Sequence, residues 1–132
     1  MAVKFLSAEW AATVEHAMNS SVDFTNAAAG NNARLQQVVT DTPEGEDTRY
    51  YFVLEEGSAQ LGLGELVDPD ATITQSYSTA VAINNRELPI IGAFMQGQLK
   101  VTGNTMKLLQ LGGVVGAMVQ AISSVDVHYE SS

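Results

Sequence analysis

The chain of 132 residues contains no cysteine and few basic residues. Without cysteine it can form neither a disulfide nor a thiolate metal site, and it has no thiol nucleophile. Six lysines and arginines stand against 15 acidic residues, which gives a formal net charge of −9. Nucleic-acid binding depends on basic side chains that displace phosphate counterions, so we expect no nucleic-acid partner. The same balance disfavours long-lived docking on an anionic membrane but leaves a transient apolar contact open.

The motifs of common catalytic and cofactor sites are also missing. No G-x-S-x-G, H-E-x-x-H or G-x-x-x-x-G-K-[ST] occurs, and the G-L-G at 62–64 lacks the third glycine of a dinucleotide loop. His16 and His128 belong to no motif, and surface positions account for both. The acidic turn at 41–47 lacks the twelve-residue spacing of a calcium loop. We therefore expect a binding protein rather than an enzyme, with no catalytic residue, no metal and no cofactor.

The sequence has no visible targeting signal. Residues 1–10 contain one lysine and only a short apolar pair, unlike the long apolar stretch of a secretory signal. The final residues, 129–132, do not resemble a peroxisomal Ser-Lys-Leu address. Residues 108–122 are free of charge, but this run is shorter than the roughly 20 residues that a membrane-spanning helix needs. The expected location is the cytoplasm.

Hydrophobic periodicity predicts one α+β domain over residues 1–132. Trp10, Val14 and Met18 recur at helical spacing after Ser7, a suitable helix N-cap. From Tyr77 the period is mostly helical. Alternating or continuously apolar runs bounded by turns predict strands at 33–40, 49–56, 59–66, 71–75 and 98–102. The expected architecture is a mostly antiparallel five-stranded sheet with helices on one face.

Two of the predicted strands have unusual compositions. Residues 50–54 are an unbroken apolar run, which predicts a central strand covered on both faces. In the next strand, Leu61 and Leu63 alternate with Gly62 and Gly64. Glycine inside a strand often marks a bulge or the close approach of another group. The two glycines are therefore expected to make room for a ligand or for a closely packed helix.

Residues 94–111, FMQGQLKVTGNTMKLLQL, combine a helix end, a strand and a new helix in eighteen residues. Gly97 and Gly103 punctuate the segment, and glycine tolerates the positive φ of such turns. Leu99 and Val101 form the apolar face of the short strand between them. This spacing, with the lead-in A-F-M-Q-G, resembles the signature of the sterol carrier protein type 2 family. The resemblance is strongest over 71–111 and looser elsewhere.

The resemblance implies a fold and a function. The fold is a five-stranded sheet roofed by helices, with a hydrophobic lipid tunnel between them. The function is binding, and intracellular transfer, of an apolar ligand such as a sterol, a fatty acid, an acyl-CoA or a related lipid. The composition favours a neutral ligand, because a carboxylate or a CoA phosphate would find only Arg86, Lys100 and Lys107 near the family motif.

Candidate ligand-binding residues come from the apolar strand positions and from the charge-free segment 108–122. Ordinary core packing is the alternative explanation for each of them, with that segment forming a core helix broken near its two adjacent glycines. The sequence does not fix which strand parity faces the cavity. The candidates are Tyr51, Val53, Leu61, Leu63, Phe94, Met95, Leu99, Val101, Leu108, Leu111, Val115, Met118, Val119 and Ile122.

Two other functions stay open at this point. The same scaffold can support an enzyme that holds a hydrophobic intermediate while a tyrosine or carboxylate moves a proton, because a fold does not determine a function. A buried carboxylate or tyrosine in the cavity would favour that alternative. The apolar helices can also form the interface of a homodimer or a partner-binding module, and a core without a cavity would favour that one.

Overall fold

Helices cover one face of a five-stranded sheet in the described part of the chain. The structure is a computed structural model that describes residues 3–43 and 45–129, without the side chains of residues 90 and 91. Glu44 of the acidic turn and residues 130–132 of the tail lie outside the described residues. The helices are α1 Ala8–Ser20, α2 Val22–Ala28, α3 Tyr77–Asn84, α4 Ile90–Met95, α5 Thr105–Gln110 and α6 Gly112–Ser123. The strands are β1 Val3–Lys4, β2 Ala33–Thr40, β3 Thr48–Glu55, β4 Ser58–Leu63, β5 Ala71–Ser76, β6 Leu99–Gly103 and β7 Val127–His128.

The sheet has the strand order β4-β3-β2-β5-β6. Strand β2 pairs in parallel with β5, and the other neighbouring pairs are antiparallel. The prediction of an α+β fold with a mostly antiparallel five-stranded sheet is therefore confirmed. Strands β1 and β7 form a separate parallel pair. Helix α2 is absent from the sequence prediction, since its seven residues bury only Phe24 and Ala28.

Strand β3 corrects one expectation. It is not the central strand, because β5 joins the sheet on the other side of β2. Its residues alternate in burial: Phe52 and Leu54 are buried on the helix-covered inner face, whereas Tyr51 and Val53 are only half-buried on the outer face. The prediction of a strand covered on both faces is therefore wrong. Large apolar side chains on the outer face give an unbroken apolar run in the sequence, although helices cover only the inner face of the strand.

Gly62 of β4 explains the unusual composition of that strand. It lies directly opposite Tyr51 of β3 in the register. A Cβ atom at position 62 would collide with the phenol ring of Tyr51. The glycine thus makes room for an aromatic ring of the neighbouring strand.

The first helix anchors the core beneath the sheet. The hydroxyl oxygen of Ser7 accepts a hydrogen bond from the backbone N–H of Trp10 at 3.0 Å, as the N-cap prediction requires. Trp10 is fully buried and meets Tyr50 of β3 edge-to-face, with ring centroids 5.2 Å apart. Such aromatic pairs add to the stability gained from burial alone. The helix therefore helps to fix the position of the Tyr50 ring.

The charge-free segment near the C terminus is divided at Leu111 into α5 and α6. Helix α6 buries a long apolar face, and α5 buries no residue. Of the residues that the structure describes, none belongs to a helix long and apolar enough to cross a membrane. Helix α5 lies beside the edge strand β6, and α6 extends over β2, β3 and β5.

Candidate functional site

An apolar seam separates the inner face of the sheet from helices α3 to α6, and it contains three spaces. The edge cavity lies beside the edge strand β6 and encloses about 30 Å³. The central cavity lies over β2, β3 and β5 and encloses about 40 Å³. The surface groove, between α6 and the residues that follow α3, is open to solvent and measures about 350 Å³. The groove is lined by Ile83, Arg86, Leu88, Pro89, Gly112, Gly116 and Val119.

The three spaces share walls. Ile73 and Val115 line both the edge cavity and the central cavity. Ile83 and Val119 line both the central cavity and the surface groove. Gly112 lines the edge cavity and the groove. Side-chain movements at the four non-glycine positions, with a shift of the backbone at Gly112, would join the spaces into one passage.

The cavities are too small for a lipid in this conformation. A volume of 30 to 40 Å³ holds about a water molecule, whereas small-molecule sites typically measure about 300–1,000 Å³. The open groove alone has a volume in that range. A large ligand therefore has to displace part of the helical roof, and α5 is the roof element with the least buried surface.

A single ion pair and its neighbours hold α5 in place. The Asp70 carboxylate accepts hydrogen bonds from the Arg34 backbone N–H at 2.7 Å and from the Lys107 ammonium of α5 at 3.1 Å. The Asp70 carbonyl also accepts the N–H of Asn104, the N-cap of α5, at 2.8 Å. Partial burial would raise the pKa of the Asp70 carboxyl, but these two hydrogen bonds and the nearby cations lower it overall. The carboxylate is therefore charged, and attached to α5, at neutral pH.

One end of the central cavity is polar but carries no charge. Gln37 of β2 and Gln75 of β5 are buried, and the Gln75 side-chain N–H donates to the Gln37 side-chain oxygen at 3.2 Å. No hydrogen bond within the described residues uses the Gln37 amide N–H2 group or the Gln75 amide oxygen, so the pair leaves donors and an acceptor available at the cavity. Asn84 and Tyr50 complete this end. Apolar pockets use a few such groups to orient a ligand.

Tyr50 is the only tyrosine among the residues that line these three spaces. Burial raises the pKa of its phenol strongly, and the neighbouring Tyr129 adds to the rise. The phenol is therefore protonated at neutral pH and acts as a hydrogen-bonding group, not as a base. No aspartate or glutamate lines the three spaces. Of the two features that would favour the enzyme alternative, a buried tyrosine therefore lines the central cavity, whereas a carboxylate lines none of the three spaces.

The structure brings more than half of the fourteen candidates to the two cavities. Five line the edge cavity, and Val115 with three further residues of α6 lines the central one. The eight candidates at the cavities are Phe94, Leu99, Val101, Leu108, Val115, Met118, Val119 and Ile122.

The other six candidates lie elsewhere. Tyr51 and Val53 are on the outer face of the sheet, opposite to the expected parity. Met95 and Leu63 are exposed, with 80% and 42% of their surface accessible. Leu61 and Leu111 are buried in the main core and line neither cavity. Six lining residues that the sequence reasoning missed matter most here: Gln37, Tyr50, Ile73, Gln75, Ile83 and Gly112.

Comparisons with known proteins agree with this geometry. A model of the SCP-2 sterol transfer family matches residues 14–116. Mouse stomatin-like protein 1 is 31% identical over 77 residues, which cover 58% of this chain. The match covers 19% of stomatin-like protein 1, so the chain corresponds to a minor part of that protein.

Solved structures share the fold. A crystal structure of sterol carrier protein 2 superposes with a TM-score of 0.79 at 20% identity, covering 92% of this chain and 99% of the other. Palmitated SCP2L2 from Aedes aegypti superposes with a TM-score of 0.65 at 22% identity, covering 83% of this chain and 94% of the other. At these identities the likeness establishes the fold alone.

Proposed function

Because the chain belongs to the SCP-2 sterol transfer family, we propose that it binds one largely apolar, uncharged lipid in the seam between sheet and helices. A sterol is the ligand class that fits best. The observation that supports this most strongly is the row of three adjoining spaces, apolar along their length and polar at one buried end. We infer that the ligand reaches that end through the groove, which displacement of α5 would widen at Gly112, the residue that lines both the groove and the edge cavity.

Affinity would come mainly from burial of apolar area. Each Å² removed from water contributes about 25 cal/mol, so a ring system or long chain needs few polar contacts. The site would have to expand, which costs part of this free energy. Displacement of α5 costs least, since that helix buries no side chain and the glycines at 103 and 112 flank it. Release of the ligand, and hence transfer, would follow the same opening.

The polar end favours a neutral head group. A single hydroxyl group can donate to one glutamine amide and accept from the other, which uses the free acceptor and one free donor of Gln37 and Gln75. A carboxylate placed there would be desolvated without a cation, since the central cavity is lined by no basic residue. A fatty acid would have to bind in the reverse orientation, with its hydrocarbon chain, not its head group, towards Gln37 and Gln75. Its carboxylate would then lie at the groove beside Arg86, the basic residue among those that line the groove.

The two orientations give a direct test of the ligand class. The protein would be purified, its bound lipids extracted and identified, and its uptake of a fluorescent sterol and a fluorescent fatty acid measured. We expect Gln37→Leu to lower sterol affinity by about tenfold, as expected for one lost buried hydrogen bond, and Arg86→Gln to leave it unchanged.

The reverse pattern would identify a fatty-acid carrier. Loss of fatty-acid affinity in Arg86→Gln, with weak sterol binding by the unmodified protein, would contradict the neutral-ligand proposal. No uptake of either probe and no co-purified lipid would contradict the binding function itself.

A further inference from the structure

A tyrosine hydroxyl group at the polar end of the central cavity has no partner within the described part of the chain. Tyr50 is 5% exposed and lines this cavity, and no hydrogen bond between described residues involves its phenol oxygen. Among the described side chains, the buried polar atom that is both unpaired and closed off from open space is Nε1 of Trp10. The Tyr50 hydroxyl group therefore faces open space, and the space that Tyr50 lines is the central cavity.

The ring of Tyr50 is held in one orientation. Trp10 meets it edge-to-face with ring centroids 5.2 Å apart, and Phe52 meets it in the same manner at 5.6 Å. These contacts fix the ring before a ligand arrives, and such preorganisation lowers the entropic cost of binding. Because burial raises the pKa of the phenol, the group keeps its proton and can donate it in a hydrogen bond.

The hydroxyl group belongs to the same end of the cavity as the glutamine pair. Gln37 lies directly opposite Tyr50 in the register of β2 and β3. The Cβ atoms of such a pair are about 4.5–5.5 Å apart. Side chains stand roughly perpendicular to a sheet, and the tyrosine side chain is longer than that of glutamine. We therefore expect the Tyr50 hydroxyl group farther from the sheet than the two amide groups.

The polar end has more hydrogen-bond donors than one ligand hydroxyl group can use. Gln37 keeps both N–H bonds of its amide, Gln75 keeps one, and Tyr50 keeps its O–H. Asn84 is already engaged, because its side chain hydrogen-bonds to the phenol of Tyr129. The oxygen of a hydroxyl group has only two lone pairs with which to accept. Since an unpaired buried polar group is costly, a ligand with a second oxygen atom would satisfy this end better.

We propose that the polar end recognises two neighbouring oxygen atoms, so that the preferred ligand is a sterol with a second hydroxyl or carbonyl group beside its ring hydroxyl group. The inference rests on the lipid-binding function proposed above and specifies the head group of its ligand. The first oxygen pairs with Gln37 and Gln75 near the sheet, and the second accepts the O–H of Tyr50 farther into the seam. A site with such a buried group discriminates against a ligand that leaves it unpaired. Tyr50 is then a residue that determines specificity.

Three sterols that differ in one hydroxyl group test the proposal. The probes are cholesterol, its vicinal diol with the second hydroxyl group on the ring carbon beside the first, and its side-chain alcohol with the second hydroxyl group at the far end. Competition against a fluorescent sterol measures the affinity for each. We expect the vicinal diol to bind about tenfold more tightly than cholesterol, as one buried neutral hydrogen bond gives, and the side-chain alcohol to gain nothing.

Tyr50→Phe removes the hydroxyl group and keeps the ring. It should lower the affinity for the vicinal diol by about tenfold and leave the affinities for cholesterol and the side-chain alcohol unchanged. Tyr51→Phe is the matched control, because it makes the same change at the next residue, on the outer face of the sheet, and it should alter none of the three affinities. Gln37→Leu should weaken the binding of all three sterols, since each carries the first hydroxyl group.

The outcomes separate this inference from the lipid-binding function. Equal affinities of the unmodified protein for cholesterol and the vicinal diol would contradict the second oxygen contact. An equal loss for all three sterols in Tyr50→Phe would contradict it too, because the phenol would then act on the first hydroxyl group or on the fold. In both cases the binding of cholesterol by the unmodified protein would leave the lipid-binding function standing. Failure of the unmodified protein to bind any of the three sterols would contradict that function and this inference together.

Discussion

At the scale of single residues, the glycines of the seam have two different roles. Gly116 lies in α6 on the floor of the surface groove, and an added Cβ atom there would meet nothing within 4 Å. Gly103 precedes α5 with φ of +90°, and an added Cβ would lie 2.7 Å from the carbonyl oxygen of Asp70. Gly116 leaves space in the groove, whereas Gly103 is required by its positive φ and by the close approach of the Asp70 carbonyl oxygen.

This contrast predicts opposite stability changes. Gly116→Ala should raise the free energy of unfolding by about 0.5–1 kcal/mol, because alanine has the higher helix propensity and no neighbour has to move. Gly103→Ala should lower it by about 1–3 kcal/mol through strain and collision. Urea unfolding followed by the fluorescence of Trp10, the only tryptophan, measures both. A loss of stability in Gly116→Ala would mean that α6 packs more closely there than the structure describes.

At the scale of elements, α5 is the part of the roof expected to open. Its attachment depends on the Asp70 carboxylate, whose hydrogen bonds reach both β2 and α5. The pKa of that carboxyl is lowered in the folded protein. The stabilisation is therefore fully present above the pKa of the unfolded chain and is lost as the pH falls through the lower, folded value.

Asp70→Asn should loosen α5 at neutral pH. The expected cost is about 1 kcal/mol, since a third of each side chain in the pair is accessible to solvent. Amide hydrogen exchange should become faster in α5 while α6 keeps its protection, and lipid uptake should become faster. The difference in stability from the unmodified protein should disappear in acid, below the folded pKa of Asp70. Faster exchange spread evenly over all the helices would contradict a local opening of α5.

The helix side of the seam and the inner face of β6 could be predicted from the sequence, whereas the inner faces of β2, β3 and β5 could not. Val115, Met118 and Val119 follow from a segment without charge that has to face apolar surroundings. For the strands, alternation identifies two faces but not which of them is inner. Tyr51 and Val53 are ligand-binding candidates by sequence because they are apolar. The inner positions of β3 are Tyr50, Phe52 and Leu54.

At the scale of the whole molecule, the polar end of the cavity depends on topology. Gln37 and Gln75 are 38 residues apart and meet because β2 and β5 pair in parallel across the sheet. Neither residue has a local signal that sets it apart from an exposed glutamine. Tertiary structure thus brings scattered residues together at one end of a cavity.

The central claim, that a lipid occupies the seam, is tested most directly by native mass spectrometry with a sterol. Gly116 lines the groove, and an added Cβ atom there meets no neighbour, so Gly116→Leu should place its side chain in the groove. Gly113 also has room for a Cβ atom but lines none of the three spaces, so Gly113→Leu makes the same change in α6 as a control. We predict one bound sterol per chain for the unmodified protein and for Gly113→Leu. Loading should be at least about tenfold weaker for Gly116→Leu, because the new side chain takes the place of apolar area that the sterol would otherwise bury. Equal loading of the two variants, or no loading of the unmodified protein, would contradict the account.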